Sequence, residues 1–164
     1  MDPRDPESLV FPVALDLPEE ITAAGSTWFR RPELHVTTFT PDDLAAASEL
    51  DVEALVRAGE EHRDELTRPR AIRFDGRVAR VEAQDGRRTL VAFCDVAGLD
   101  VLYERLSADL GAQLPLPPTH VTLYTAQPGA GGIGLTTEEQ VRERATLLAD
   151  ADATAVLGHL PAIA

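Results

Sequence analysis

Short apolar runs of strand-like composition recur along the chain, which has 164 residues. Runs rich in β-branched and aromatic residues and bounded by proline or glycine are typical of strands. They predict strands over 10–17, 34–40, 71–74, 78–81, 89–94, 119–125 and 155–163.

Two Asp-Gly pairs separate the runs in the middle of the chain. Asp75-Gly76 and Asp85-Gly86 both stand between apolar runs. Glycine supplies the positive φ that tight hairpin turns need, so each pair indicates a hairpin. We therefore expect an antiparallel meander over residues 70–95.

A helical spacing of apolar residues replaces the strand pattern in three stretches. The predicted helices cover residues 42–66, 98–110 and 137–148. The first is expected to break near Asp51, and the second to end at Gly111. Thr136 and Glu139 form a capping-box signature at the start of the third. Strands and helices thus alternate irregularly, which indicates an α+β fold.

No linker or low-complexity segment divides the chain into separate domains. Residues 1–8 are acidic and contain two prolines, so they are expected to form a disordered N-terminus. A chain of this length can bury a sizeable core in one domain. We therefore expect residues 9–164 to form a single domain.

The charged residues restrict the chemistry of the chain. Acids outnumber bases 28 to 15, the net charge is −13, and every base is an arginine. Without lysine there is no Schiff base, no lysyl-nucleotide and no P-loop lysine. The acidic balance argues against binding long nucleic acid, which requires many phosphates to be neutralised. A small nucleotide or short oligonucleotide remains the expected class of ligand.

The arginines are unevenly spread, and the single cysteine indicates the compartment. Residues 63–88 hold eight arginines against five acids, but the sequence does not place this patch relative to a site. Cys94 cannot form an internal disulfide and stands in an apolar run, so we expect a buried thiol and a cytoplasmic protein. The acidic start is not typical of a signal peptide, and no apolar stretch reaches membrane-spanning length.

One strand motif occurs twice. Residues 35–40 read His-Val-Thr-Thr-Phe-Thr and residues 120–125 read His-Val-Thr-Leu-Tyr-Thr. Because side chains two apart on a strand share a face, each copy is expected to present an imidazole, a hydroxyl and an aromatic ring together. The residues concerned are His35, Thr37 and Phe39 in the first copy and His120, Thr122 and Tyr124 in the second.

Two facing copies of this motif suit chemistry on a phosphodiester. One neutral imidazole can take a proton from water while the other, protonated, gives a proton to the leaving oxygen. The threonine hydroxyls can donate to the non-bridging oxygens, where charge builds up in the transition state. This chemistry requires neither a metal nor a cofactor.

The two H-x-T motifs resemble those of the 2H phosphoesterase superfamily, which includes RNA 2′,5′-ligase-like proteins and cyclic phosphodiesterases. Residues 13–18 also look like the first strand of the ligase-like members. The resemblance implies a bilobal α+β fold, with two antiparallel-sheet lobes, outer helices and a central cleft. It implies His35 and His120 as the catalytic acid/base pair and Thr37 and Thr122 as phosphate-binding residues.

The leading hypothesis is a metal-independent phosphodiesterase that hydrolyses a small cyclic phosphodiester, such as a nucleoside 2′,3′-cyclic phosphate or a short oligonucleotide. We expect such a protein to be a monomer without a membrane partner. One alternative is RNA 2′,5′-ligation or RNA-end processing by the same site. Another is a binding module that holds a cyclic nucleotide without cleaving it. A zinc site is a further alternative, but it would need a third ligand, and His62 and His159 show no metal-binding spacing.

Several neighbouring residues have two interpretations. Phe39 and Tyr124 either stack on a base or belong to the core. Residues 28–31, Trp-Phe-Arg-Arg, either place an arginine beside the phosphate or form an ordinary loop. The glycine-rich loop 129–134 either offers backbone N–H groups to an anion or serves as a lid or plain connection.

Overall fold

The computed structural model describes residues 8–160, so the expectation for residues 1–8 falls almost wholly outside the described residues. The strands are β1 (Leu9–Pro12), β2 (Glu20–Ala23), β3 (Ser26–Arg30), β4 (His35–Phe39), β5 (Ile72–Glu82), β6 (Arg88–Val96), β7 (His120–Thr125) and β8 (Ala145–Leu147). The helices are α1 (Pro41–Ser48), α2 (Val52–Glu61), α3 (Arg63–Thr67), α4 (Leu99–Leu110), α5 (Glu138–Arg144) and α6 (Asp150–Leu157). The predicted α+β class is confirmed.

The eight strands form one antiparallel sheet, in which six follow the order β1-β4-β7-β6-β5-β8. The β2–β3 hairpin joins this sheet through β3, which pairs with the end of β7. Strands β4 and β7 carry the two motifs and are direct neighbours, paired at Val36 and Val121. The topology therefore brings together two segments that lie far apart in the sequence.

Both motif strands contain a β-bulge at the same motif position. In β4, Thr37 pairs with Val10 and Phe39 with Leu9, which leaves Thr38 without a partner on β1. In β7, Thr122 pairs with Val91 and Tyr124 with Leu90, which leaves residue 123 without a partner on β6. An extra residue reverses the alternation of side chains beyond it. The residues after each bulge therefore face the opposite side of the sheet from the strand pattern's prediction.

The predicted helices at 42–66 and 98–110 are confirmed, but the first is divided a second time, at His62, which the sequence did not predict. The first breaks at Asp51, whose carboxylate accepts a hydrogen bond from the N–H of Ala54 at 2.8 Å and so caps α2. The α4 helix ends at Gly111, which has a φ of 67°. Glycine adopts this left-handed conformation without a steric penalty, so the helix stops there.

The prediction of a hairpin at Asp75-Gly76 is wrong. These residues lie inside β5, where residues 75–77 bulge between Phe74, which pairs with Cys94, and Val78, which pairs with Ala92. The Asp75 carboxylate accepts hydrogen bonds from the backbone and guanidinium of Arg77, which stabilises the bulge. The turn at Asp85-Gly86 is confirmed, so β5 and β6 form one hairpin.

The C-terminal predictions need two corrections. The helix predicted over 137–148 ends at Arg144, and residues 145–147 form β8 on the edge of β5. Thr137, one residue later than predicted, is the cap: its hydroxyl accepts from the N–H of Gln140. The strand predicted over 155–163 is wrong as far as residue 160, because α6 occupies Asp150–Leu157; residues 161–163 lie outside the described part. Alanine-rich residues with acids in the first turn favour a helix here.

The first strand and the segment after it also differ from the prediction. Strand β1 ends at Pro12 instead of residue 17, and a single hydrogen bond from Val13 N–H to Leu34 continues the pairing. The β2–β3 hairpin turns through Ala24 and Gly25, which both have positive φ angles of 50° and 74°. Such a turn matches the twist of the flanking strands. The sequence pattern predicts neither a strand nor a helix for this hairpin.

Buried apolar residues form three clusters that fix the two faces of the sheet. One face carries the largest cluster, centred on Trp28, Tyr124 and Val121 and joined by α6. A second cluster packs the end of the sheet around Phe39 against α1, α2 and α4. The third lies on the opposite face of β5 and β6 and includes Phe93. Within residues 8–160 no helix is long and apolar enough to cross a membrane.

Candidate functional site

The register of β4 and β7 sets the two motifs crosswise. Val36 lies opposite Val121 in an antiparallel pair. One step to either side, this register places His35 opposite Thr122 and Thr37 opposite His120. Val36 and Val121 are fully buried on one face of the sheet, so the four motif side chains share the other face. The structure thus brings the four predicted residues together, each histidine facing the threonine of the other copy.

His120 is the buried histidine of the pair, with 9% of its surface exposed. Its Nδ1 lies 3.0 Å from the carbonyl oxygen of Pro118, and a carbonyl can only accept, so Nδ1 carries the proton. The ring of Phe93 packs beside it, with ring centroids 6.1 Å apart. Burial lowers the pKa of His120; the Pro118 bond partly opposes this, and a nearby charge on His35 lowers it further. The lowered pKa favours the neutral ring, and with the proton on Nδ1 it is Nε2 that can accept a proton.

His35 is more accessible and has charged neighbours. Its exposure is intermediate, and its pKa is lowered first by partial burial and then by the positive charge of Arg31. The carboxylate of Glu33 acts in the opposite direction. A charge on His35 contributes to lowering the pKa of His120, so the two imidazoles lie within electrostatic reach of each other.

The motif threonines differ from the other threonines of the two strands. Thr38 is fully buried and donates its hydroxyl to the carbonyls of Leu66 and Leu9, at 2.6 and 3.2 Å. Thr125 is also buried and donates to the carbonyl of Gln127 at 2.7 Å. Within residues 8–160 the hydroxyls of Thr37 and Thr122 form no hydrogen bond, and both residues are partly exposed. These two hydroxyls are therefore available to a ligand.

The structure does not bring Phe39 or Tyr124 into the site. Both rings are fully buried, Phe39 against the ring of Tyr103 and Tyr124 within the cluster around Trp28. The hydroxyl of Tyr124 donates to the carbonyl of Pro18 at 3.2 Å. The bulges in β4 and β7 are the physical reason, because they turn both aromatic residues to the face opposite the histidines. These rings are core residues and the interpretation as base-stacking groups fails.

The glycine-rich loop belongs to a longer segment, residues 126–137, which we call the strap. Alternate carbonyl oxygens of the strap accept hydrogen bonds from arginines: Ala130 from Arg31, Gly132 from Arg87 and Gly134 from Arg144, at 3.1, 2.9 and 2.8 Å. Ile133 and Leu135 are buried in the cluster that includes Phe93. The strap thus packs through these apolar residues on the face of the sheet that carries the histidines, and arginines hold its carbonyls.

The far end of the strap reaches α1. The hydroxyl of Thr136 donates a short hydrogen bond to the carboxylate of Asp43, and the side chain of Gln140 lies 3.5 Å from the same group. A cavity of about 520 Å³ lies between α1, the start of α5 and residues 115–116. Neither His35 nor His120 lines it, so this cavity is not the site of the two motifs.

The arginine patch of residues 63–88 partly borders the site. The guanidinium of Arg77 lies over the ring of Phe93, 4.6 Å from its centroid, and Arg87 holds the strap. Arg88 instead lies over Trp28 on the opposite face. Both site-facing arginines are neutralised by ion pairs, Arg77 with Asp75 and Arg87 with Asp85. The patch therefore adds less positive potential than its composition predicts.

The other two histidines lie elsewhere. His62 is at the junction of α2 and α3, with Glu65 and Asp109 within 4 Å of its ring nitrogens. His159 is exposed after α6. Among the described residues, no three or more His, Cys, Asp or Glu side chains are grouped as metal ligands would be. Cys94 is buried and burial raises its thiol pKa to about 12, as expected for a structural cysteine.

Two neighbours of the histidines carried little signal in the sequence. Phe93 contacts His120 only because β6 pairs with β7, and nothing in its local pattern marks it. Arg31 stands in the Trp-Phe-Arg-Arg cluster, whose sequence does not distinguish a phosphate-binding role from an ordinary loop. The register of β3 beside β7 would have been needed to place it.

No protein-family model matches the chain, and no characterised protein or solved structure matches it either.

Proposed function

We propose that the protein is a phosphodiesterase of the 2H type that hydrolyses a small cyclic phosphodiester. The observation that carries the proposal is the crosswise arrangement of the two H-x-T motifs on one face of neighbouring strands. A binding module alone has no need for two proton-transfer groups beside two free hydroxyls. The arrangement supplies a proton acceptor, a proton donor and two hydrogen-bond donors around one point.

In the proposed reaction, the neutral His120 accepts a proton from water at Nε2, and the water oxygen attacks phosphorus. The bond from phosphorus to one ribose oxygen breaks, and His35 donates a proton to that oxygen. The product is a phosphomonoester, and water is the only co-reactant. Burial favours His120 as the base because it disfavours the charged ring, and it opposes protonation less at the more exposed His35.

The threonines complete the proposed site. The hydroxyls of Thr37 and Thr122 donate to the non-bridging oxygens of the phosphate, where negative charge builds in the transition state. Each hydroxyl lies across the strand pair from a histidine, so the acid, the base and the two donors surround the phosphorus from both strands.

The proposal extends to the two-lobed form of the 2H fold. One lobe would contain β1 and β4, and the other β5 to β8, with the boundary at the pairing of Val36 with Val121. The equivalent bulges after the two motifs support this internal symmetry. The proposed compartment is the cytoplasm, on the argument of the single buried cysteine.

Purified protein incubated with a panel of 2′,3′-cyclic nucleotides and short 2′,5′-linked oligonucleotides, in excess EDTA, tests the function. We expect hydrolysis of at least one member, and loss of that activity in His120→Ala. His159 is an exposed histidine away from the motifs, so His159→Ala is the matched control and should retain full activity. The proposal fails if no member is turned over, or if His120→Ala leaves turnover unchanged.

Product analysis separates hydrolysis from the other two hypotheses. An RNA with a 2′,3′-cyclic end is supplied together with a 5′-hydroxyl partner. If the two RNAs are joined, the activity is ligation and not hydrolysis. If calorimetry shows tight binding and the cyclic nucleotide is recovered intact, the protein binds the nucleotide without cleaving it.

A further inference from the structure

Arg31 differs from the other arginines near the histidines because its charge is not paired. Within residues 8–160, Arg31 forms no ion pair, whereas Arg77 and Arg87 each pair with an aspartate. Its Nη1 donates to a neutral carbonyl, that of Ala130, at 3.1 Å. A guanidinium held by one neutral acceptor keeps most of its capacity to bind an anion.

The backbone places Arg31 beside the site. Arg30 pairs with Tyr124, and the N–H of Arg31 donates to the carbonyl of Leu123, the bulged residue next to Thr122. The side chain of Arg30 donates a hydrogen bond to the carbonyl of Leu17, on the face of the sheet opposite the histidines. Because successive side chains of an extended chain alternate, Arg31 points to the face of the histidines. β3 and β4 follow the same edge of β7, and Arg31 therefore lies next to His35 along it.

One polar atom of Arg31 is left without a partner. Its Nε is buried and forms no hydrogen bond with any group in residues 8–160. The buried Nε of Arg70 also lacks a hydrogen-bond partner, so this feature alone does not identify a site. Arg31 combines it with an unpaired charge and a place beside His35, whose pKa its charge lowers. A buried donor that lacks an acceptor costs free energy, which an incoming oxyanion would recover.

We propose that Arg31 binds the phosphate of the ligand at this site and gives up the carbonyl of Ala130 as it does so. The inference rests on the function proposed above, since it concerns the same phosphate. Guanidinium groups hold phosphate through two parallel hydrogen bonds that are stronger than a bond to a neutral carbonyl. The strap contacts the guanidinium through the carbonyl of Ala130, so loss of this bond on binding releases the strap at that point.

The test is a titration of the protein with inorganic phosphate at pH 7, followed by NMR. The signals observed are the Cε1–H of His35 and the backbone amides of residues 129–134. We expect saturable shifts of both in the wild type. In Arg31→Gln the affinity for phosphate should fall about 10- to 100-fold, the range expected for losing hydrogen bonds to a charged group. Arg31→Lys should give an intermediate loss, because it keeps the charge without the fork.

Arg87→Gln is the matched control. Arg87 holds the carbonyl of Gly132 at 2.9 Å, as Arg31 holds that of Ala130, but its charge is paired with Asp85. This variant should bind phosphate within about twofold of the wild type. The pKa of His35 should rise in Arg31→Gln, because a positive neighbour is removed, and should stay unchanged in Arg87→Gln.

Three results would overturn the inference. They are the absence of a saturable His35 shift in the wild type, unchanged phosphate affinity in Arg31→Gln, and an equal loss in Arg31→Gln and Arg87→Gln. The substrate panel keeps this inference separate from the proposed function. If phosphate binding depends on Arg31 but no substrate is turned over, the proposed phosphodiesterase activity is refuted and the role of Arg31 is not. If Arg31→Gln turns over substrate with unchanged kcat/KM and binds phosphate with unchanged affinity, the role of Arg31 is refuted and the activity is not.

Discussion

Strands β4 and β7 carry the same H-x-T sequence and the same one-residue bulge, but their histidines have different surroundings. His120 is nearly buried, packed against Phe93 and fixed through Nδ1 to the Pro118 carbonyl. His35 is partly exposed and lies near the charges of Arg31 and Glu33.

This contrast shows how one repeated motif can provide two chemical roles. The motif itself determines which groups are present, and the neighbouring strands determine how polar each environment is. A buried imidazole favours the neutral, proton-accepting form, and a more exposed one is protonated at lower cost. The difference in neighbours, not in motif, therefore supports the assignment of His120 as base and His35 as acid.

The largest expected effect comes from removing either imidazole. His35→Asn and His120→Asn should each lower kcat/KM for a substrate identified by the panel by about 10²- to 10⁴-fold, the usual contribution of a general acid or base. The double variant should be little worse than either single variant, because the two residues act as a unit. Steady-state kinetics measure this, with His62→Asn as an unaffected control. Full activity in either single variant would contradict the paired roles.

The threonines test whether the two strands contribute equally. Thr37→Val and Thr122→Val keep the shape of the side chain but remove the donor, so each should lower kcat about 10²-fold or more. KM should change less, since the donors act mainly on charge that develops in the transition state. Thr154→Val, on α6, should leave kcat unchanged. If only one of the two motif variants is impaired, the site uses one strand for phosphate and the symmetry of the proposal is lost.

The pKa values of the two histidines predict where the rate is highest. Both pKa values are held below 6.5, chiefly by burial. A bell-shaped profile peaks between the two apparent pKa values of the coupled pair, so kcat/KM should peak below pH 6.5. A pH–rate curve measures this, and a peak above pH 7 would show that the rings are not desolvated as described.

The same burial predicts how stability depends on pH. With their folded pKa values lowered, these histidines bind fewer protons in the folded chain than in the unfolded chain just below pH 6.5. Their contribution to the free energy of unfolding is therefore retained above pH 6.5 and is lost as the pH falls through the folded pKa values. Urea unfolding at several pH values should show that the free energy of unfolding changes less with pH in His120→Asn than in His159→Asn. Equal dependence in the two variants would contradict the burial of His120.

The smallest effect concerns the aromatic residues that the bulges turn away. Tyr124→Phe removes the hydrogen bond to Pro18 and should lower the free energy of unfolding by about 0.5–1.5 kcal/mol. KM should not change in this variant or in Phe39→Leu, because both rings are in the core. Denaturant unfolding and kinetics measure the two quantities. A raised KM with unchanged stability would show that these rings contact the substrate.

Local pattern was sufficient for much of the fold. The helix break at Asp51, the stop at Gly111 and the turn at Asp85-Gly86 follow from capping and turn chemistry that acts within a few residues. The same local chemistry misled at Asp75-Gly76, where β6 continues past the turn signal and pairs with both sides of it. Residues 145–147 form a strand only because the edge of β5 is available to pair with them.

By itself, the sequence determined which chemical groups the protein has: two imidazoles and two hydroxyls in a repeated strand motif, and arginine as the only base besides histidine. The period of a strand placed His and Thr on one face, since that depends on backbone geometry alone. Tertiary structure decided the rest. The bulges removed Phe39 and Tyr124 from that face, the antiparallel register set each histidine opposite a threonine, and β3 brought Arg31 to their side. Register and bulges depend on pairing with distant strands, and a local pattern does not encode them.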